Sequence, residues 1–213
     1  AYTEAYETSL TCEDSHIDIS SRLFIVADAV QKIADVDIKW TIDNEGMINV
    51  RMDVVKEKEL PVLPCFGVRM FVNEKFRNVT YYGMGPYESY IDKHRASVHG
   101  TFSADIDKLY VDYIRPQENG SHCDCDYVSL KNDGEDKKIT ITSDKPFSFN
   151  AQKYTEEELT RKKHNYELVP SESNVLCIDY AMRGIGSNSC GPELMDKYSN
   201  EEENFTFRFA IKP

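Results

Sequence analysis

The sequence lacks the segments that place a chain in or across a membrane. No apolar run approaches the ~20 residues that a transmembrane helix needs. The N-terminus has no basic segment followed by an apolar one, as a secretory signal has, and the chain starts Ala-Tyr-Thr without a Met. We therefore expect no membrane partner, and we expect the chain to be a piece of a longer protein.

Positive charge is also scarce. The 25 Lys and Arg residues stand against 37 Asp and Glu residues, which gives a formal net charge of −12 at pH 7. Proteins bind nucleic acids and anionic lipids through basic faces, because the phosphates need cations as partners. The composition therefore argues against nucleic acid and membrane as partners, but it does not identify the partner.

The six cysteines lack the spacing of a metal site. Cys123 and Cys125 form the one close pair, as C-x-C, and no second pair accompanies it, whereas structural zinc sites usually combine two pairs of the C-x-x-C type. At 213 residues the chain is too long to be a small disulfide-rich scaffold. We expect no metal and no cofactor in this chain, and reduced thiols as in a cytoplasmic protein.

Helical patterns are rare, and strand patterns cover most of the chain. Short segments of alternating apolar and polar residues are separated by turns rich in Asn, Asp, Gly and Pro, and residues 35–56 read as a hairpin. The one convincing helix begins at the capping box Thr155-Glu156-Glu157-Glu158. With no internal repeat or linker, the pattern predicts one all-β domain over 1–213, a large antiparallel sandwich with a short helix near 155–163.

A Gly/Ser-rich stretch stands between two predicted strands near the C-terminus. It runs from Gly184 to Pro192, and its composition excludes a regular helix or a central strand. One interpretation is an ordinary connecting loop. The other is a shaped loop that presents Asn188, Ser189 and Cys190 to a ligand, because functional side chains often lie on loops held by a rigid sheet.

Two further segments combine aromatic rings with glycines and polar groups. Residues 81–92 contain Gly-Met-Gly-Pro, which favours a tight structural corner over a phosphate loop, since proline stands where a backbone donor is needed. Residues 110–120 suit either sugar hydroxyls or a buried hydrogen-bond network. Glu118 with Asp124, or Cys123 with His122, has the residue types of a catalytic pair, although a structural role for these residues is the simpler interpretation.

These motifs occur together in an order that resembles a known family. The order is GxGPxExYxD at 83–92, PQENG at 116–120, FSFxA at 147–151, the capped segment at 154–159, and Asp179-Tyr180 before GxGxxSC at 184–190. The chain resembles the C-terminal domain of β-galactosidases of glycoside hydrolase family 2, known as the small-chain domain. The resemblance is clear from about Leu60 to Pro213, and rests on strand pattern alone in residues 1–59.

The resemblance implies a fold and a function. The small-chain domain is a large antiparallel β-supersandwich of the galactose-mutarotase type. The family's enzymes hydrolyse terminal β-D-galactosides such as lactose by a retaining mechanism, and their two catalytic glutamates lie in a TIM-barrel domain that this chain does not resemble. We therefore expect no catalytic residue here. The chain would complete the rim of the active site and the assembly of a parent enzyme, and the fragment alone would be inactive.

The resemblance also implies site residues. The stretch from Gly184 to Pro192 corresponds to a loop that this domain lends to the sugar site, with Cys190 where many members have Trp. A Cys would form a small apolar wall instead of a stacking platform, and Asn188 and Ser189 are the neighbouring candidates for binding substrate. Residues 81–92 and 113–120 would support the loop.

Partners and ions follow from the same resemblance. The expected partners are a β-galactoside sugar and the remaining domains of the parent, which would be a cytoplasmic homo-oligomer. Its Mg²⁺ and Na⁺ or K⁺ ions would be bound mainly by those other domains. Cys65 is a departure, because members commonly have Arg there, so whatever that Arg anchors is arranged differently.

A stand-alone carbohydrate-binding or aldose-mutarotase-like module is the alternative, since domains of this fold can bind sugars by themselves. Convergent aromatic rings and paired acid–base groups in a groove of the sheet would favour it. A wide exposed apolar face would instead favour a domain that belongs against the rest of an enzyme. A purely structural interaction domain is a third possibility, if the 184–192 loop lies far from any cleft.

Overall fold

A computed structural model of the chain describes residues 1–27, 31–186, 191, 193–199 and 202–213. In this part of the chain, antiparallel strands predominate and α1, at Glu156–Arg161, is the one α-helix, beside 3-10 turns at Ile106–Lys108, Asn165–Glu167 and Asp196–Tyr198. The predicted all-β class with one short helix is confirmed. The strands are β1 (Tyr2–Cys12), β2 (His16–Ala27), β3 (Gln31–Asp43), β4 (Ile48–Lys56), β5 (Cys65–Asn73), β6 (Phe76–Gly85), β7 (Val98–Asp105), β8 (His122–Asn132), β9 (Lys138–Gln152), β10 (Ser173–Met182) and β11 (Asn204–Lys212).

The chain divides into two compact units. The first contains Ala1–Leu63, Ile141–Lys145 and Glu201–Pro213, and the second contains Pro64–Thr140 and Pro146–Asn200. Strand β9 contributes its middle to the first unit and its two ends to the second. The expectation of a single domain over residues 1–213 stays a prediction.

The first unit is an antiparallel sheet in the order β1-β2-β3-β4-β11. The predicted hairpin at 35–56 is confirmed as β3 and β4, and Asp43 Oδ1 accepts from the backbone amides of Glu45 and Met47, both at 2.9 Å, to form its turn. Because strand side chains alternate between faces, one face is apolar and buried at Val36, Ile38, Val50, Met52, Val54, Phe205, Phe207 and Phe209.

The β1 end of this sheet is open. All residues of β1 are exposed, and with the adjoining β2 it presents Tyr2, Tyr6, Leu10 and Ile17 to solvent. Leu10 lies opposite Ile19, and Cys12 lies opposite Ile17, so Leu10 and Ile17 share one face. The apolar face that is buried at β3 and β4 therefore continues to β1 and β2, where its side chains are exposed to solvent.

The second unit contains two sets of strands that β9 joins, because β9 is hydrogen-bonded to β8 as well as to β10. Strand β6 pairs with β7 and β8, and β10 pairs with β5 and β9, all antiparallel. Their core is built from large buried side chains, namely Val79, Tyr81, Val128, Leu130, Phe147, Phe149, Val175 and Ile178. None of the helices in the described residues is both long and apolar enough to cross a membrane.

Helix α1 begins where the capping box predicts. The Thr155 side chain accepts a hydrogen bond from the Glu158 backbone amide at 3.2 Å, which satisfies a donor that the first turn leaves unpaired. The side chain of Leu159, within the helix, is buried. Arg69 of β5 contacts the first turn, with Nη1 at 2.5 Å from a Glu156 carboxylate oxygen and 2.8 Å from one of Glu157. These contacts fix the helix to its sheet.

Candidate functional site

The Gly/Ser-rich loop is anchored at its base. The Gly184 amide donates to the Tyr198 carbonyl at 3.0 Å, which joins the first residue of the loop to the 3-10 turn at Asp196–Tyr198. The next two amides both donate to Asp92: Ile185 N lies 3.0 Å from Oδ1, and Gly186 N lies 2.8 Å from Oδ2. The Asp92 carboxylate therefore holds residues 185 and 186, at the start of the loop.

The three predicted substrate-binding residues, Asn188, Ser189 and Cys190, lie outside the described residues. What the structure does show is the segment that leads to them. Asp92 is the last residue of the GxGPxExYxD motif, so this predicted supporting segment does contact the loop, although the motif did not indicate which residues Asp92 would meet.

An apolar pocket opens beside the base of the loop. Its volume is about 470 Å³, and it extends to Met182, two residues before Gly184. Ligand sites are typically concave and apolar, with a few polar groups that fix orientation. Here the polar groups include Asp124 and Ser148, and the apolar lining includes Met84, Ile91, Phe147 and Met182.

The 81–92 and 110–120 segments are joined through Glu88. Its side chain is 7% exposed and lies 2.5 Å from Lys93 Nζ. It also accepts from the Tyr113 hydroxyl and, at 2.9 Å, from the Gly120 amide. Burial raises the pKa of this carboxyl, but the three donors outweigh burial and leave the pKa below its ordinary value. Glu88 is therefore a paired structural anion.

Asn119 organises the second segment. It is 1% exposed, its Oδ1 accepts from the Val111 amide at 2.9 Å, and its Nδ2 donates to the Gln117 carbonyl at 2.9 Å. Its own carbonyl accepts from Asn150 Nδ2. Of the two interpretations that the sequence allows for 110–120, the structure therefore supports the buried hydrogen-bond network.

The 83–86 sequence forms a tight corner, as predicted. A Cβ on Gly83 would overlap the Cys125 sulfur across the sheet, and a Cβ on Gly85 would overlap the Tyr81 hydroxyl. The bond between Gly85 and Pro86 is cis. The glycines are explained by close packing and not by a bound phosphate.

His122 and Cys123 do not form a nucleophile–base pair. They are neighbours on β8, and consecutive strand residues point to opposite faces. The His122 ring is buried against Tyr81, with 4.5 Å between ring centroids, and burial lowers its pKa to about 4 although its hydrogen bond with the Met84 carbonyl acts the other way. Burial raises the pKa of the Cys123 thiol, so neither group is activated.

Glu118 and Asp124 lie in different surroundings. Glu118 acts electrostatically on Asp179, whereas Asp124 acts on Cys123 and Cys125. This gives no support to the two as a catalytic pair. Asp124 has a φ of 56°, and its carbonyl receives the His99 ring nitrogen at 3.0 Å, which indicates a structural bend in β8.

A buried carboxylate lies near Cys65. Asp179 of β10 is 7% exposed, and burial, followed by repulsion from Glu118 and Glu156, raises its pKa to about 7. A Cβ on Gly67, its partner across the sheet, would overlap Asp179 Oδ1. Arg69 is the nearby cation, but it is paired with Glu156 and Glu157. Among the described residues, no group of three or more His, Cys, Asp or Glu side chains is placed to hold a metal ion.

The chain is similar over nearly its whole length to known proteins. A family model described as "Beta galactosidase small chain" matches residues 2–211. A β-galactosidase of Actinobacillus pleuropneumoniae is 43% identical over 211 residues, which are 99% of this chain and 20% of that protein. A β-galactosidase of Staphylococcus xylosus is 35% identical over 210 residues, 99% of this chain and 21% of that protein. The chain thus spans about a fifth of the length of these relatives.

Proposed function

Since the chain belongs to the β-galactosidase small-chain family, we propose that it is the C-terminal domain of a β-galactosidase of glycoside hydrolase family 2, which hydrolyses terminal β-D-galactosides such as lactose with retention. The observation that carries the proposal is the 43% identity to a β-galactosidase across 99% of the chain. A resemblance that spans all motifs is more specific than any one Gly-rich loop.

Within that enzyme, we propose that the domain shapes the rim of the active site. The 184–192 loop would contact the sugar through Asn188, Ser189 and Cys190. Two features support this role: the loop is held at its base by Asp92 and Tyr198, and an apolar pocket of about 470 Å³ opens beside it. A loop fixed by rigid elements can present side chains to a ligand in a defined geometry.

The catalytic glutamates of the parent would lie in a TIM-barrel domain outside this chain. In support of this, Glu88 is taken up by structural hydrogen bonds, and the two catalytic pairs suggested by the sequence are not assembled as such. We also propose, on the resemblance, that Mg²⁺ and Na⁺ or K⁺ ions are held mainly by the other domains.

The partners would be the remaining domains of the parent and further copies of it in a homo-oligomer. The exposed apolar residues Tyr2, Tyr6, Leu10 and Ile17 of the first unit support a covered surface in the assembled enzyme. The five described cysteines are free thiols, which agrees with the reducing cytoplasm as the location.

Reconstitution tests the proposal. Hydrolysis of a chromogenic β-galactoside is measured for the isolated chain, for the N-terminal remainder of a parent β-galactosidase, and for their mixture. We expect activity in the mixture and none from the chain alone. Activity of the isolated chain would overturn the proposal, whereas galactose mutarotation or tight sugar binding by it would favour the stand-alone module.

The Cys190 wall gives a smaller, specific effect. In the assembled enzyme, Cys190→Ala is expected to raise KM by roughly 2- to 10-fold, the effect of losing about 1 kcal/mol of apolar contact, with kcat reduced less. Lys138→Ala, at an exposed position of β9, is the control and should leave both constants unchanged. A loss of several orders of magnitude in kcat at constant KM would contradict the wall-forming role.

A further inference from the structure

Asp92 makes an unusual pair of contacts. Its two carboxylate oxygens accept from two successive backbone amides, Ile185 N at 3.0 Å and Gly186 N at 2.8 Å. Hydrogen bonds to an ionised acceptor are shorter and stronger than neutral ones. Asp92 lies 93 positions before Ile185 and 94 positions before Gly186. The contact is therefore a specific tertiary anchor and not a local turn.

The residues around the anchor fit only as a set. A Cβ on Gly184 would lie 2.7 Å from Asp92 Cγ and 2.7 Å from Leu194 Cδ1, well inside contact distance. The chain therefore passes directly over the carboxylate. Gly186 follows with a φ of +63°, a left-handed conformation that glycine adopts without strain.

The anchor acts on one side of the loop. Gly184 N and the Tyr198 carbonyl, 3.0 Å apart, close the base. Asp92 then fixes residues 185 and 186, directly before the residues proposed to contact the sugar. A change at Asp92 would release residues 185 and 186, while the hydrogen bond between Gly184 and Tyr198 stays in place.

We propose that Asp92 is a positioning residue of the β-galactosidase, which sets how tightly the 184–192 loop holds the substrate. This inference rests on the proposed function of the loop. Asp92 itself does not take part in the chemistry. Its carboxylate orients the backbone of residues 185 and 186, which directly precede the residues proposed to contact the sugar, and small displacements of positioned groups have large effects on binding.

Kinetics of the assembled enzyme tests the proposal. Asp92→Asn keeps the side-chain shape but replaces one acceptor oxygen by an NH₂ group that faces an amide donor. Loss of a charged hydrogen bond predicts a rise in KM of about tenfold, with kcat within roughly threefold. Asp126→Asn, at an exposed position of β8, is the control and should change neither constant.

A double variant shows whether Asp92 acts through the loop. Because two residues that act through one element are coupled, Asp92→Asn combined with Cys190→Ala should raise KM by less than the product of the single effects. Deuterium uptake of the peptide that contains residues 183–186 should also increase in Asp92→Asn, since its amides lose their acceptor. Asp92→Glu keeps the charge and should therefore raise KM less than Asp92→Asn does. This variant also keeps the proposal testable if Asp92→Asn does not fold.

The outcomes separate the two proposals. If Cys190→Ala and replacement of 187–190 by glycines both leave KM unchanged, the proposed function of the loop is wrong, whatever Asp92 does. If those variants raise KM but Asp92→Asn does not, the positioning role is wrong. It is also wrong if the double variant raises KM by the full product of the two single effects, because the two residues then act independently. Unchanged deuterium uptake in Asp92→Asn would also overturn it.

Discussion

Replacing Gly120 by Ala is expected to lower the free energy of unfolding by roughly 3–5 kcal/mol, the sum of three effects at one position. Gly120 has a φ of +71°, where an L-residue is strained. A Cβ there would lie 2.6 Å from the Leu109 carbonyl oxygen, so the backbone must move. That movement pulls the Gly120 amide away from Glu88, 2.9 Å from it in the native chain. Urea denaturation measures the loss.

Gly134→Ala is the matched control. Gly134 has a φ of +87°, but nothing lies within 4 Å of the position that a Cβ would occupy. This variant therefore carries the left-handed strain alone, and we expect it to cost about 1 kcal/mol. If Gly120→Ala costs no more than Gly134→Ala, the overlap with Leu109 and the Glu88 contact do not stabilise the fold.

Asp179→Asn is expected to stabilise the protein above pH 7. In an unfolded chain an Asp has a pKa of about 3.9, whereas in the fold burial and then Glu118 and Glu156 raise the pKa of Asp179 to about 7. Between these values the folded state keeps a proton that the unfolded state has released. The contribution of Asp179 to stability is thus largest below pH 4 and falls as the pH rises to 7, by about 1.4 kcal/mol per pH unit at most.

Above pH 7 the buried carboxylate is ionised and its full cost is present. The Asn side chain carries no charge, so the variant should exceed the parent in unfolding free energy at pH 8 by on the order of 2–4 kcal/mol. Because other carboxylates titrate as well, the quantity to compare is the difference between variant and parent at pH 5, 6, 7 and 8. An equal difference at all four values would contradict the raised pKa.

Two further variants sharpen this result. Asp126→Asn removes an exposed carboxylate of β8 and should show no such pH-dependent difference. Cys65→Arg places a cation near the carboxylates of Asp179 and Glu118, which already act electrostatically on Cys65. An opposite charge favours the ionised form, so the pKa of Asp179 should fall and the protein should lose less stability between pH 5 and pH 8.

Local features of the fold could be predicted from sequence, because they depend on neighbouring residues. The alternation at 35–56 identifies a hairpin, and the capping box identifies Thr155 as the residue before the helix. The opposite orientation of His122 and Cys123 follows from strand alternation only once β8 is known, because no strand was predicted at these residues.

The anchors of the candidate site could not be predicted in the same way. Asp92 meets Gly186 from 94 residues away, and Glu88 meets Gly120 from 32 residues away. Such contacts depend on strand register over long distances, which no local pattern encodes. Sequence motifs therefore identified the segments 81–92, 116–120 and 184–190, but not which atoms join them.

The order in which the strands are synthesised has a consequence for folding on the ribosome. Strand β11 lies beside β4 in the first unit, with Thr206 Oγ1 2.6 Å from Asp53 Oδ1, 153 positions earlier. The first unit cannot be completed until residues 201–213 have left the exit tunnel. Until β11 is synthesised, the edge of β4 that does not pair with β3 has no partner strand. Unpaired edges can pair with strands of other chains. A nascent chain stalled before β11 would therefore be a preferred substrate for chaperones.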